Sequence, residues 1–374
     1  WGVPVPGNVD GFADKRIYVW FDAVIGYYSA SLEWAKRTDQ PEAWRKWWDP
    51  ASAQRSYYFI GKDNIPFHTI IWPAMLLGYG DRALPYDVPA NEFLNLEGQK
   101  MSTSQNWALW MPDIMARYEP DLVRYYLTAA APEGRDSNWS WAEFVQRTNS
   151  ELVATWGNLA NRVLTIAQRN FDGVPTPSEL NAADTTLLNT IETGFARVTE
   201  LYEAVKLRSA LQETMALAQT ANQYLSEQEP WKVVKVDRER AATVIFVALK
   251  VIDTLNRLFS PIMPHASQKL HQMLGYDDAI APQPQIEYEL DPDGAQRPVL
   301  TGQYAIAARW QMSELVPGVS LRDPAPLFRK LDAMRRINRC GAFFDDKTTK
   351  EGADAIWTYQ HCGARLARLG SVLL

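Results

Sequence analysis

N-L-E-G-Q-K-M-S-T-S, residues Asn95 to Ser104, separates two kinds of sequence in this chain. Before it, short β-branched and aromatic runs alternate with helical periodicity, the pattern of a parallel α/β sheet. After it, the sequence is dominated by amphipathic helices. Within it, Lys100 supplies a mobile positive charge, Ser102, Thr103 and Ser104 supply short hydroxyl donors, and Gly98 lets the loop close over a ligand. That combination suits phosphate binding, with Lys100 neutralising a phosphoryl leaving group. It also suits an ordinary solvated loop, so the flanking sequence has to decide.

Working back from the loop, Leu84 to Glu97 is short and extended, with Pro85 and Pro89. Arg16–Phe21 (R-I-Y-V-W-F) and Ser56–Ile60 (S-Y-Y-F-I) read as buried strands. Each is followed by helical periodicity, Ala23–Lys36 after the first and about Asp63–Leu77, beyond the Gly61 turn, after the second. A polar, Trp-rich helix is expected near 41–48. Working forward, two helical segments at about 111–117 and 119–130 lead to a long amphipathic helix whose stripe is Leu152, Trp156, Leu159, Val163 and Ile166. Phe171-Asp172-Gly173 ends it. Helices at about 182–204, 207–227 and 238–260 complete an expected antiparallel bundle. Residues 276–299 read as an Asp- and Pro-rich loop, and the tail after about 332 shows no clear periodicity. The expected division is 1–83, a Rossmann-like half; 84–139, the loop and a connector; 140–275, the bundle; and 276–374, a loop-rich end.

At 374 residues the chain has room for two or three domains. Lys plus Arg is 38 against Asp plus Glu 44, a net charge of −6, so any nucleic-acid surface must be local. Cys340 and Cys362 are too far apart for a metal knuckle, and a reduced, cytoplasmic setting is the default. No apolar run is long enough to span a bilayer, and no membrane partner is expected. The chain opens on Trp1 rather than Met, so the missing signal-peptide pattern decides little.

Three stretches carry chemistry. In Y-V-W-F-D-A-V-I-G-Y-Y, Tyr18 to Tyr28, Trp20 and Tyr27 suit the walls of an apolar pocket. Asp22 there suits either an amine contact or a helix N-cap. In F-I-G-K-D-N-I-P-F-H-T-I-I-W-P, Phe59 to Pro73, Gly61 and Asp63 sit where a strand turns into a helix, a natural place for phosphate or ribose. His68 and Trp72, four apart, share a helix face, although a lone His beside a Trp is more often a core histidine than a ligand. The third stretch is the loop itself.

In this order, the three resemble the methionyl-tRNA synthetase family of class I aminoacyl-tRNA synthetases. The likeness runs from Trp1 to about Asp332 and includes N-S-E-L-V-A-T-W-G-N-L-A-N-R, Asn149 to Arg162. It implies a Rossmann-like catalytic half followed by an all-α anticodon-binding bundle. It also implies ATP-dependent activation of L-methionine and transfer to a tRNA with a CAU anticodon, with ATP and Mg2+ entering as substrate. By the resemblance, Trp20, Ala23, Val24, Tyr27 and His68 correspond to the methionine pocket, with Trp72 on the same wall. A thioether lacks charge, so it must be selected by shape and by sulfur against aromatic rings. Gly61, Asp63 and Asn64 correspond to the adenosine region, and Lys100 to the first lysine of the family's K-M-S-K-S signature.

Asn158, Arg162 and Trp231 correspond to the anticodon-reading positions. Asn158 and Arg162 are one helical turn apart, suited to the edges of unstacked bases, and Trp231 to stacking one. Lys232, Lys235, Arg238 and Arg240 stand nearby as candidate phosphate contacts.

Two departures matter. Thr103 stands where the family has its second signature lysine, which keeps a donor and loses a charge. The family's H-x-G-H signature and zinc knuckle are absent, since the only histidines are His68, His265, His271 and His361. The expectation is a chain missing its N-terminal half, binding no zinc and inactive alone. The alternatives are a non-catalytic tRNA-binding module and another class I synthetase for an aliphatic amino acid.

Overall fold

A computed structural model of the chain describes residues 2–7, 10–12, 14–52, 54–80, 82–290, 294–303, 310–332, 335–337 and 343–345. The chain divides into two compact units, one of residues 1–94 with 132–137, the other of 95–131 with 138–374. Cys340, His361 and Cys362 lie outside the described residues.

In the first unit, helix α1 (Val19–Arg37) is followed by a short α2 (Arg45–Trp48). Strand β1 (Ile60–Gly61) runs parallel to β2 (Ala90–Asn91), a ladder extended backwards by the Tyr57–Asp87 bridge. From β1 the chain makes a 3-10 turn at Lys62–Asn64, a π-helical turn at Phe67–Ile71 and then α3 (Trp72–Tyr79). The strand-to-helix order is the expected one, but the strand expected over Ser56–Ile60 is reduced to Ile60–Gly61 and one bridge at Tyr57, and it includes the glycine. The core is aromatic: Val24, Ala35, Trp44, Trp48, Tyr58, Trp72 and Leu76 are buried together.

The strand expected over Arg16–Phe21 is not there. Only Arg16 forms a bridge, to Pro4, and helix begins at Val19. The aromatic run V-W-F is the first turn of α1, which buries its residues through one face rather than by alternation. Tyr18 is the N-cap and makes no side-chain cap bond, so Asp22 lies within the first turn and the N-cap option for it falls.

The second unit contains β3 (Leu94–Leu96), α4 (Met111–Met115), α5 (Pro120–Ala129), β4 (Ser137–Trp139) and α6 (Trp141–Arg147), with β3 and β4 starting in the first. Helix α6 continues through a π segment, Thr148–Gly157, into α7 (Asn158–Phe171). The bundle adds α8 (Ala182–Glu203), α9 (Leu207–Gln228), α10 (Pro230–Val233), α11 (Arg238–Phe259) and α12 (Pro264–Met273). Helix α11 is buried nearly all round, with Val244, Val247, Val251 and Leu255 inaccessible, and its buried polar residues are paired: Arg257 with Asp253, and Asn256 with the Ser267 carbonyl. It packs against α7, α8, α9 and α12. An Asn181–Asp184 capping box starts α8.

Residues 276–299, expected as loop, hold the strand β5 (Gln283–Leu290), antiparallel to β6 (Gln296–Gln303). The alternation I-E-Y-E-L is a strand signal that the Asp and Pro content of the region masks. Ile286, Tyr288, Leu290 and Leu300 share its exposed face. A last pair, β7 (Arg335–Ile337) and β8 (Phe343–Asp345), is antiparallel and lies in the tail that carried no expectation. Between β6 and β7, Asn149 makes paired hydrogen bonds with the Leu331 backbone, and Leu327 and Phe328 are buried.

Candidate functional site

In the first unit the residues of the expected pocket assemble around His68, which is 2% exposed. Its Nδ1 lies 2.9 Å from the Asn64 carbonyl and its Nε2 lies 2.8 Å from the Tyr27 hydroxyl. A carbonyl only accepts, so Nδ1 carries the proton, and in the neutral ring Nε2 accepts from Tyr27. Tyr27 packs edge-on against Tyr58 at 5.0 Å, and Trp72 Nε1 donates to the Tyr58 hydroxyl at 3.0 Å. Burial pushes the Tyr58 hydroxyl's pKa up, which keeps it a proton-bearing partner. Trp20 stacks on Phe67 with centroids 4.1 Å apart and planes within 10°. Val24 and Trp72 are buried, whereas Ala23 and Asp22 are exposed.

His68 and Phe67, the ring on which Trp20 stacks, lie in the π-helical turn. Such turns are frequent at functional sites. Phe67 and Tyr58 were not singled out from sequence. Phe67 directly precedes His68, and Tyr58 sits at the centre of S-Y-Y-F-I, so adjacency was the only signal available.

Gly61, Asp63 and Asn64 lie where β1 gives way to the 3-10 turn, with Gly61 and Asp63 exposed. Between them Lys62 is clamped: its ammonium bonds Glu92, reaches Asp136 at 3.3 Å and lies 4.4 Å from the Phe93 ring centroid. The hydrogen bond to Glu92 holds the Lys62 pKa above its ordinary value despite the opposing effect of burial. Its role is to fix the turn.

The Asn95–Ser104 loop, in the second unit, is a pair of tight turns. Leu96 and Gln99 exchange backbone hydrogen bonds of 2.8 and 2.9 Å across Glu97 and Gly98, whose φ values of 48° and 78° are those of a type I′ hairpin turn. Gly98 therefore serves backbone conformation, and its N–H donates to Asn138 Oδ1 at 2.6 Å. Ser102 and Trp107 exchange a second pair of bonds, closing a loop over Thr103 to Asn106. Ser102 and Ser104 hydroxyls lie 3.1 Å apart, and Lys100, Thr103 and Ser104 are exposed.

Elsewhere in that unit, Arg162 and Trp231 come together, the guanidinium 5.3 Å from the ring centroid. Arg162 Nε and Nη2 are buried with no hydrogen-bond partner among the described residues. Asn158 is exposed one turn before Arg162, directly after the π segment. Trp231 is 37% exposed, enough of its ring for a base to cover. The nearby cations are mostly taken: Arg240 pairs with buried Asp184, Lys232 with Glu229, and Arg238 bonds the Asn170 carbonyl and stacks on Phe171. Arg240 is therefore corrected from a phosphate contact to a structural tie, because Asp184 and Gln228 claim its terminal nitrogens, whereas Arg238 is exposed and bonds Asn170 through one nitrogen.

Among the described residues no three His, Cys, Asp or Glu side chains form a metal-holding group, and no helix is long and apolar enough to cross a membrane.

Residues 1–164 match the family model for "tRNA synthetases class I (M)", and residues 174–294 match that for the "Anticodon binding domain of methionyl tRNA ligase". The methionine–tRNA ligase of Roseiflexus castenholzii is 66% identical over 337 residues, covering 89% of this chain and 57% of the relative. That of Chloroflexus aurantiacus is 50% identical over 350 residues, covering 89% and 58%. The crystal structure of Mycobacterium tuberculosis methionyl-tRNA synthetase bound by methionyl-adenylate superposes with a TM-score of 0.68 at 28% identity, covering 88% of this chain and 58% of that one. The fold is thus that of a class I aminoacyl-tRNA synthetase: part of the nucleotide-binding catalytic domain and an anticodon-binding bundle. The chain belongs to the methionyl-tRNA synthetase family. It spans a little over half the length of the relatives it matches.

Proposed function

We propose that this chain supplies the methionine pocket, one side of the ATP clamp and the anticodon reader of a cytoplasmic methionine–tRNA ligase. In the first step a methionine carboxylate oxygen attacks the α-phosphorus of ATP. A bond to phosphorus forms, the bond to the bridging oxygen breaks, and pyrophosphate leaves with Mg2+. In the second, a terminal ribose hydroxyl of the tRNA attacks the activated carbonyl and AMP departs. Trp20, Ala23, Val24, Tyr27, His68 and Trp72 enclose the thioether; Gly61, Asp63 and Asn64 hold the nucleoside. Lys100, with Ser102, Thr103 and Ser104, meets the departing pyrophosphate. Asn158, Arg162 and Trp231 read the CAU anticodon. The division at 1–83, 84–139, 140–275 and 276–374 is kept as the functional one.

The observation that carries this reading is the chain of contacts from the Asn64 carbonyl through His68 to Tyr27, beside the Trp20–Phe67 stack. It fixes a polar tip and flat apolar walls, the environment a thioether needs. The H-x-G-H signature is not in these 374 residues, so the ligase activity belongs to a polypeptide that also carries it. The test is amino-acid-dependent exchange of labelled pyrophosphate into ATP by the protein expressed from its full reading frame. Methionine should drive exchange; exchange driven by valine or isoleucine and not by methionine overturns the reading.

A further inference from the structure

Asp184 is wholly buried where α8, α9 and α11 meet. Its carboxylate accepts from both terminal nitrogens of Arg240, at 2.5 and 2.8 Å, from the Tyr224 hydroxyl at 2.5 Å and from the Asn181 N–H at 3.0 Å. One of the same Arg240 nitrogens donates to Gln228 Oε1 at 2.7 Å. Gln228 is the last residue of α9. After it Glu229 takes a left-handed conformation, φ 41° and ψ 51°, Pro230 is buried, and Trp231 stands in the first turn of α10. Two residues thus separate the anchored amide from the indole. At the other side, Arg238 ties the start of α11 to the Asn170 carbonyl at the end of α7, the helix that carries Arg162.

We propose that Gln228 is a positioning residue for anticodon recognition: braced by Arg240 on Asp184, it sets where Trp231 stands against Arg162. This rests on the reading of Trp231 and Arg162 as base-reading residues. A turn with a non-glycine residue at positive φ costs energy and persists only when its surroundings hold it. The Gln228–Arg240 bond is such a hold, and losing it lets α10 rotate, moving the indole plane without removing any RNA contact.

The experiment uses this chain and labelled anticodon stem-loops bearing CAU or UAU. Gln228→Ala should weaken CAU binding by about two- to thirtyfold and lower the CAU-to-UAU preference. The salt dependence should keep its slope, because no phosphate contact is lost. Gln228→Glu, which keeps an acceptor for Arg240, should restore the preference. Trp231→Ala is run alongside. If Trp231→Ala weakens CAU binding while Gln228→Ala retains the wild-type preference, whether or not its melting temperature falls, the positioning role is overturned and the base-reading role stands. If Trp231→Ala binds like wild type, the base-reading role itself fails, and this inference with it.

Discussion

Asp184→Ala removes the carboxylate on which α8, α9 and α11 converge, and its cost can be worked from the geometry. Four donors lose their acceptor: two from Arg240, one from Tyr224 and one from the Asn181 backbone. Breaking a buried ion pair from one side costs about 3–5 kcal/mol, because the remaining charge is left uncompensated. Arg240 is 22% exposed and keeps Gln228, so water relieves part of that cost and the lower end, about 3 kcal/mol, applies. For a unit of this size that is a fall in melting temperature of about 6–12 °C, followed by circular dichroism at pH 7. In urea the midpoint should drop with the slope unchanged. Asp184→Asn keeps acceptor and shape but loses the charge, and should cost about half as much. The pH dependence separates charge from packing. Burial alone would raise the Asp184 pKa, but hydrogen bonds from Arg240 and Tyr224 outweigh it and hold the carboxyl below its ordinary value. Its contribution is therefore complete above the unfolded value of about 4 and is lost as pH falls below that through the folded value. The gap between wild type and Asp184→Asn should be constant from neutral pH down to about 5 and close below about 4. A loss under about 1 kcal/mol for Asp184→Ala, or a gap that does not close in acid, would refute the reasoning.

Thr103→Lys in the full-length protein should raise the rate of adenylate formation by about ten- to a hundredfold, measured by pyrophosphate exchange, if Thr103 faces the departing pyrophosphate. No change would mean that another cation already serves there. Tyr27→Phe leaves His68 Nε2 without its 2.8 Å partner and should raise the KM for methionine by about five- to a hundredfold while leaving that for ATP unchanged. Equal effects on both would count against a methionine-side role. Gly173→Ala places a Cβ 2.6 Å from the Val319 carbonyl oxygen at a φ of +147°, so the return segment must shift and stability should fall by about 1–3 kcal/mol in urea unfolding. A neutral result would show that the segment near Val319 yields freely.

Much of the chain's design is legible in the amino-acid order. The periodicities that place α8, α9 and α11 depend only on which residues are apolar and how they are spaced, and the structure bounds these helices within a residue of the expected limits. Glycine and proline likewise mark the end of α7 and the turn after β1. Local order failed where several backbone shapes bury the same residues. V-W-F-D is apolar enough for a strand, yet it is a helical turn, and the β5–β6 hairpin was hidden by its Asp and Pro neighbours. Partner choice was out of reach altogether. Arg238 and Arg240 look like solvated cations in a list of residues; only the fold brings Asn170 and Asp184 to them. The same holds for the two π segments, which one-dimensional spacing reads as continuous α-helix, and for the bond between Tyr27 and His68, forty-one residues apart. Sequence by itself determined the long helices of the bundle, because hydrophobic period and turn chemistry are properties of neighbouring residues. Tertiary structure decided which charges are free and which aromatic faces meet, because those depend on contacts between residues far apart along the chain.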